Sequence, residues 1–272
     1  MKLNKIIIGI LAIIIICSAG SYKSSYGTDT HKLNDLKPND LPSFVSYVKN
    51  CVYLVKSDNG LGTAFVINTQ GYFLTCAHVV GSSDTVLLIN NAEVLDPNAI
   101  NARFETQIMK ASVKATNPRY DLAVLKVNLA ENGLNDMPFL RLANSDSLKE
   151  GQDVFSVAFL PYDLIFKEPR AFVSKGIIST IRKNVKLGNY NCDVIQSNLS
   201  TALGNSGGPL LIMDLFPRVV GYIDAGFFDK NTIQSSYSIA LTIKQVAPFL
   251  DSLQIPFVYG WGLQNETKGV KK

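Results

Sequence analysis

The chain has 272 residues, of which 47% are hydrophobic and 18% charged, and its formal net charge is +4. This is the composition of an ordinary folded protein with room for one large domain or two smaller ones; nothing in it demands nucleic acid or a membrane surface as partner. Four cysteines and two histidines at these spacings match no zinc pattern, so neither a metal nor any other cofactor is expected.

Lys2 and Lys5 precede an apolar run from Ile6 to Cys17, and Ser18, Ala19 and Gly20 follow it. That is the outline of a secretory signal peptide over residues 1–20. The run is well short of the roughly 20 residues that span a bilayer, so no stable membrane span is expected after cleavage, and the mature chain is expected to be exported, periplasmic or secreted. Ile16 stands where lipoprotein processing at Cys17 wants a small residue, which disfavours that route. Without Lys2 and Lys5 the formal charge falls from +4 to +2, and the cysteines left are Cys51, Cys76 and Cys192. An odd count leaves at least one thiol free.

Residues 21–42 are polar and turn-rich and read as a leader. From Leu41 to Cys51 the spacing predicts a short helix with Phe44, Val45 and Val48 on one face. Short segments rich in Val, Ile, Phe and Tyr follow, among them CVYLVK, GTAFVI, GYFLTCAHVV, LAVLKV, DVFSVAFL, GPLLIM and VVGYIDAGFF, separated by Gly, Asn and Pro. They predict strands, hence an all-β sandwich or a pair of barrels. LANSDSLKEG breaks the pattern between Leu142 and Gly151, which divides the chain into domains at 43–145 and 146–255. The second ends in a predicted helix over 242–253, shortened or bent by Pro248. The tail, 256–272, is basic at Lys268, Lys271 and Lys272 and reads as a solvated terminus.

The stretch 201-TALGNSGGPLL-211 places Ser206 in a glycine-rich turn. Serine is a poor nucleophile unless a base takes its proton and donors hold the oxyanion that forms. The candidate base is His78, in 75-TCAHVVG-81, since His31 lies in the leader. The candidate orienting acid is Asp121, in 120-YDLAVLKV-127. Each has an ordinary structural reading when taken alone: a tight turn, a core histidine, an aspartate before a strand. Their joint order, His then Asp then Ser, weighs against coincidence.

Over roughly Phe44 to Leu253 these segments resemble the chymotrypsin-fold (trypsin-like) serine proteases, most of all the HtrA/Deg group. The likeness runs through 62-GTAFVIN-68, 71-GYFLTCAHVV-80, 117-NPRYDLAVLKV-127, 176-GIIST-180, 204-GNSGGPL-210 and 237-YSIALTIKQV-246. It implies two six-stranded antiparallel β-barrels with short N- and C-terminal helices. It also implies a serine endopeptidase acting on polypeptide, with Ser206 as nucleophile, His78 as base and Asp121 as its partner. Gly204, Asn205 and Ser206 would form the oxyanion hole. Ser200 would lie at the base of the specificity pocket, where its lack of charge disfavours a Lys or Arg preference, and Ala225 and Gly226 would leave one wall open.

The chain departs from that pattern at several places. Asn198 and Ala202-Leu203 replace the usual residues ahead of the nucleophile, and the segment 159–175 is longer than its counterpart. Asp224 stands where a small hydroxyl residue is common; turned inward it would crowd Asp121 with a second carboxylate, and turned outward it would favour cationic substrate groups. The PDZ domains usual in the group have no counterpart in these 272 residues. A homo-oligomer therefore stays open, but trimers and cages are not implied. The competing reading is a catalytically silent module that binds polypeptide as a chaperone or adaptor.

Overall fold

The computed structural model describes residues 40–94, 103–160, 169–187, 190–224, 234–235 and 237–259. The expected signal peptide, the leader up to residue 39, Ala225, Gly226, residues 161–168 of the long segment and residues 260–272 of the tail lie outside them. Helix α1, Leu41–Lys49, starts where Asp40 accepts a hydrogen bond from the Ser43 amide and Pro42 presets the first turn. Its buried face is Phe44, Tyr47 and Val48. Tyr47 thus takes the place expected for Val45, because positions three and four beyond Phe44 share its side of the helix. The Tyr47 hydroxyl donates to Phe139 O at 2.8 Å and ties α1 to the chain leaving the first barrel. Tyr47→Phe, which strands that carbonyl, is expected to cost about 1–2 kcal/mol in a urea unfolding titration.

The strands predicted from β-branched and aromatic runs form two rings. The first is a closed barrel, all antiparallel, of β1 (Val52–Lys56), β2 (Leu61–Val66), β3 (Tyr72–Cys76), β4 (Thr85–Val94), β5 (Arg103–Asn117) and β6 (Leu122–Val127) in the order β1-β2-β3-β6-β5-β4. A one-turn helix, α2 (Ala77–Val80), extends β3.

The second sheet begins with β7 (Arg141–Leu142) and continues with β8 (Asp153–Phe159), β9 (Ala171–Leu187) and β10 (Tyr190–Ser197). After the short β11 (Thr201–Ala202) come β12 (Pro209–Ile212) and β13 (Arg218–Ile223), then β14 (Gln234–Ser235), which pairs with β11 alone, and β15 (Ser238–Thr242). The order is β12-β8-β9-β10-β15-β13-β7, and the additional β12–β13 pairing closes six of these strands into a second antiparallel ring. β7 joins that ring from outside, parallel to β13. A 3-10 turn, Ile243–Gln245, and helix α3, Ala247–Ser252, close the fold. Pro248 falls in the first turn of α3, where its missing N–H costs nothing, so it starts the helix and does not bend it.

Alternation along the second-ring strands explains why they read as nearly continuous apolar runs. Val154, Leu210, Ile212 and Val220 fill the interior of the second ring, while their neighbours Phe155, Leu211 and Val219 belong to the larger core shared with the first. Opposite faces of one strand thus serve two cores, and neither face meets water. This shared layer fixes one ring against the other and sets the seam on which the candidate residues converge.

Candidate active site

Strand register brings His78 to Asp121. β3 runs antiparallel to β6 with Cys76 opposite Leu122, so the residues just past that pair, Ala77 and Asp121, meet beyond the sheet's end. Asp121 closes a 3-10 turn, Pro118–Tyr120, in the left-handed region at φ 45° and ψ 46°, a conformation aspartate tolerates better than most residues. From there its carbonyl accepts the Ala77 N–H at 2.9 Å and its Oδ1 accepts the His78 N–H at 2.8 Å. Oδ2 lies 2.5 Å from His78 Nδ1. Ser57 and Asn59 hold α2 from the other side, donating to the carbonyls of Val79 and His78 at 2.6 and 2.5 Å.

Ser206 lies in the turn between β11 and β12, where Gly204 and Gly207 both adopt positive φ, 90° and 83°. The turn is pressed against the first barrel. Thr63 in β2 donates its N–H to Ser206 O at 2.8 Å and its hydroxyl to Gly204 O at 2.7 Å, and the same hydroxyl accepts the Phe159 N–H at 3.0 Å. A Cβ on Gly207 would come within 2.3 Å of Thr63 O, 2.4 Å of Thr75 Oγ1 and 2.9 Å of Cys76 N. A Cβ on Gly62 would meet the Val79 side chain at 2.5 Å and Ser206 O at 3.0 Å. Ser206 therefore sits against the end of β3 and the helix that carries His78. Among the described residues its hydroxyl makes no hydrogen bond.

The backbone amides of the turn divide into two kinds. Asn205 N–H donates to Ala202 O at 3.1 Å, and its side chain accepts the Ala202 N–H at 2.6 Å and donates to Phe159 O at 3.3 Å. Of the three residues expected to form an oxyanion hole, Asn205 thus serves to brace the turn. The N–H groups of Gly204 and Ser206 donate to no acceptor among the described residues. Ser200 is exposed in the link between β10 and β11, and Leu203 is exposed beside Gly204. Ala225 and Gly226 lie outside the described residues.

Asp224 turns inward. It is 6% exposed, its N–H donates to Ile239 O at 3.0 Å, and one side-chain atom from each of Cys76, His78, Asp121 and Asp224 lies within 4.8 Å of the others. Burial disfavours the charged imidazolium of His78, but the hydrogen bond to Asp121, the charge of Asp121 and that of Asp224 outweigh it and raise the pKa above the ordinary histidine value. Burial, followed by the two aspartate charges, pushes the Cys76 thiol well above its usual range. Cys51, Cys76 and Cys192 are all buried free thiols. Among the described residues, Cys76, His78 and the two aspartates are the one group of three or more such donors gathered this closely.

Thr63, Gly62 and Cys76 were not singled out by sequence reasoning. Their signal is weak: Gly-Thr beginning an apolar strand, and a cysteine two residues before the histidine. Thr63→Val keeps shape but leaves Gly204 O and Phe159 N without a partner, and is expected to cost about 2–3 kcal/mol by thermal denaturation.

A family described as the trypsin-like peptidase domain matches residues 62–221. A protein of Pseudomonas fulva (strain 12-X) named probable periplasmic serine endoprotease DegP-like is 30% identical over 197 residues, 71% of this chain and 35% of its own length. One of the same name from Pseudomonas fluorescens is 34% identical over 186 residues, 67% of this chain and 33% of its own. The chain thus spans about a third of the length of these curated relatives. Among solved structures, the HtrA-type protease AlgW with tripeptide superposes with a TM-score of 0.59 at 25% identity, covering 77% of this chain and 62% of that one. Deg5, at 19% identity and a TM-score of 0.58 over 82% of this chain and 95% of its own, shares the fold.

Proposed function

Because this chain belongs to the trypsin-like peptidase family, we propose that it is an exported serine endopeptidase that cleaves peptides or unfolded proteins. The observation that carries the reading is the Asp121 carboxylate engaging both the amide and the ring of His78, beside a buried serine turn hydrogen-bonded to Thr63 in β2 and packed against the end of β3, which leads into the helix of that histidine. Asp121 holds the Nδ1–H tautomer, which leaves the Nε2 lone pair to take the Ser206 proton as Oγ attacks the peptide carbonyl. The resulting oxyanion is received by the N–H groups of Gly204 and Ser206, a role that needs the positive φ of Gly204. His78 then passes its proton to the leaving amine. An acyl-enzyme on Ser206 remains, and water activated by the same imidazole hydrolyses it.

An uncharged, exposed Ser200 supports a preference for neutral side chains before the scissile bond. Export is supported by the signal-like residues 1–20 and by the periplasmic relatives, and no helix among the described residues is long and apolar enough to cross a membrane. We take 43–145 and 146–255 as the two units, with the chain already crossing to the second ring at β7.

One observation favours the silent polypeptide-binding reading: among the described residues the Ser206 hydroxyl makes no hydrogen bond, so the nucleophile and base must close on each other when substrate arrives. A fluorophosphonate probe separates the two. Covalent labelling of the Ser206 peptide, located by mass spectrometry and accompanied by casein cleavage, is the expected result. Absence of labelling across a range of pH and added peptides would establish the silent module instead.

A further inference from the structure

Cys76 and Asp224 have no part in peptide hydrolysis as described, yet both lie close to the imidazole and to Asp121. Side-chain atoms of Cys76, His78, Asp121 and Asp224 all lie within 4.8 Å of one another. From this geometry we propose that the four residues form an inhibitory site for a divalent cation of the zinc class, which captures the His78 ring and turns the peptidase off. The loss of activity rests on the peptidase reading; binding of the ion does not.

Sulfur and imidazole donors select zinc-like ions over magnesium or calcium, and four donors match a tetrahedral ion. The site has a rigid half and a movable half. Cys76 is fully buried at the end of β3 with Sγ 3.4 Å from Ile223 O, and Asp224 is the next residue along, its amide fixed to Ile239. The side chains of His78 and Asp121 are 43% and 24% exposed, which gives the ion a path in and gives these two groups freedom to shift. Metal–ligand lengths of about 2.0–2.3 Å in a tetrahedron set neighbouring donors about 3.3–3.7 Å apart. That lies between the 2.5 Å of Nδ1 to Oδ2 and the 4.8 Å outer limit of the cluster, so the closest pair opens and the widest pair closes by about an ångström.

On binding, the hydrated ion loses waters, the Cys76 thiol releases its proton to solvent as the sulfur–metal bond forms, and the imidazole gives up its Nδ1 proton to solvent while Nε2 takes one from it, so that the neutral ring can give its Nδ1 lone pair. No electron changes hands. With the metal on Nδ1, the ring's remaining proton resides on Nε2, which then has no lone pair for the Ser206 proton. Inhibition follows from this change of tautomer and needs no movement of the nucleophile turn.

Titration of the purified full-length protein with Co2+ tests the site without reference to hydrolysis. One equivalent is expected to produce the visible bands of a four-coordinate ion and a near-ultraviolet sulfur-to-cobalt charge-transfer band, both removed by Zn2+. Cys76→Ala and Cys76→Ser should each lose the charge-transfer band and weaken Co2+ binding by more than about 100-fold, and Asp224→Asn by at least about 10-fold. In parallel, Zn2+ should slow fluorophosphonate labelling of the wild type at least about 10-fold. Mg2+ should not, a chelator should restore the rate, and Cys76→Ala should keep its own metal-free rate when Zn2+ is added. A missing charge-transfer band, or one that survives in both Cys76 variants and so belongs to another thiol, overturns the site. Zn2+ that binds without slowing labelling overturns the inhibition. A protein that never labels defeats the peptidase reading, while the cobalt spectrum still decides the site.

Discussion

Ser206→Ala is expected to lower kcat/KM for peptide hydrolysis by at least about 10³-fold and to remove covalent labelling entirely. On the proposed mechanism the hydroxyl oxygen is the bond-forming atom, and no neighbour can replace it: Gly207 and Asn205 flank it, and its own carbonyl is held by Thr63. His78→Ala should cost a similar factor, and the double variant little more than either alone, because base and nucleophile act in one step. Asp121→Asn is the informative partner. Asparagine tolerates the left-handed φ of 45°, so the turn is retained. Its amide, however, can offer the ring an N–H where the carboxylate accepted one, which favours the wrong tautomer and should reduce kcat by about 10⁴-fold. Progress curves on a fluorogenic peptide and on casein measure all four proteins. Undiminished casein cleavage by Ser206→Ala would assign the activity to a contaminant and leave this chain without a demonstrated nucleophile.

The second large effect is structural. Gly207→Ala is expected to cost about 3–5 kcal/mol, combining about 1–2 kcal/mol for an alanine at φ 83° with the overpacking of a methyl group driven into Thr63 O, Thr75 Oγ1 and the Cys76 amide. Two of these three atoms are backbone, so the strain cannot be relieved by turning a side chain. In a chain of this size the melting temperature should fall by at least about 6 °C. Labelling should fall with it, because the turn has to back away from β3 to make room. Gly133→Ala is the control: that glycine has φ 67° with nothing within 4 Å of an added Cβ, so only the backbone cost of about 1–2 kcal/mol applies. Equal losses in the two variants would mean that close approach to the first barrel contributes nothing.

Strands and the order of the candidate residues could be read without coordinates because both are local signals. Alternating Val, Ile and Phe marks strands wherever they later pair, and Gly-Asn-Ser-Gly-Gly is a compact turn. What escaped was decided by partners distant in the chain. The inward direction of Asp224 depends on β13 pairing with β15, Ile223 opposite Ala240. The bracing role of Thr63 depends on a contact with Gly204, 141 residues away. Asn205 looked like a third oxyanion donor until its amide was found paired with Ala202. The sequence reading puts Val45 on the buried face of α1; Tyr47 takes that place, since a buried tyrosine needs only one acceptor and Phe139 O supplies it.

The shared layer between the rings also bears on folding. Wherever the chain folds, β3 and β6 can bring imidazole and carboxylate together within the first ring, whereas the serine turn has no frame until β15 joins and the second ring shuts. On the proposed mechanism, a chain whose second ring is still open has its base and orienting acid but no placed nucleophile, and is expected to be inert toward its neighbours.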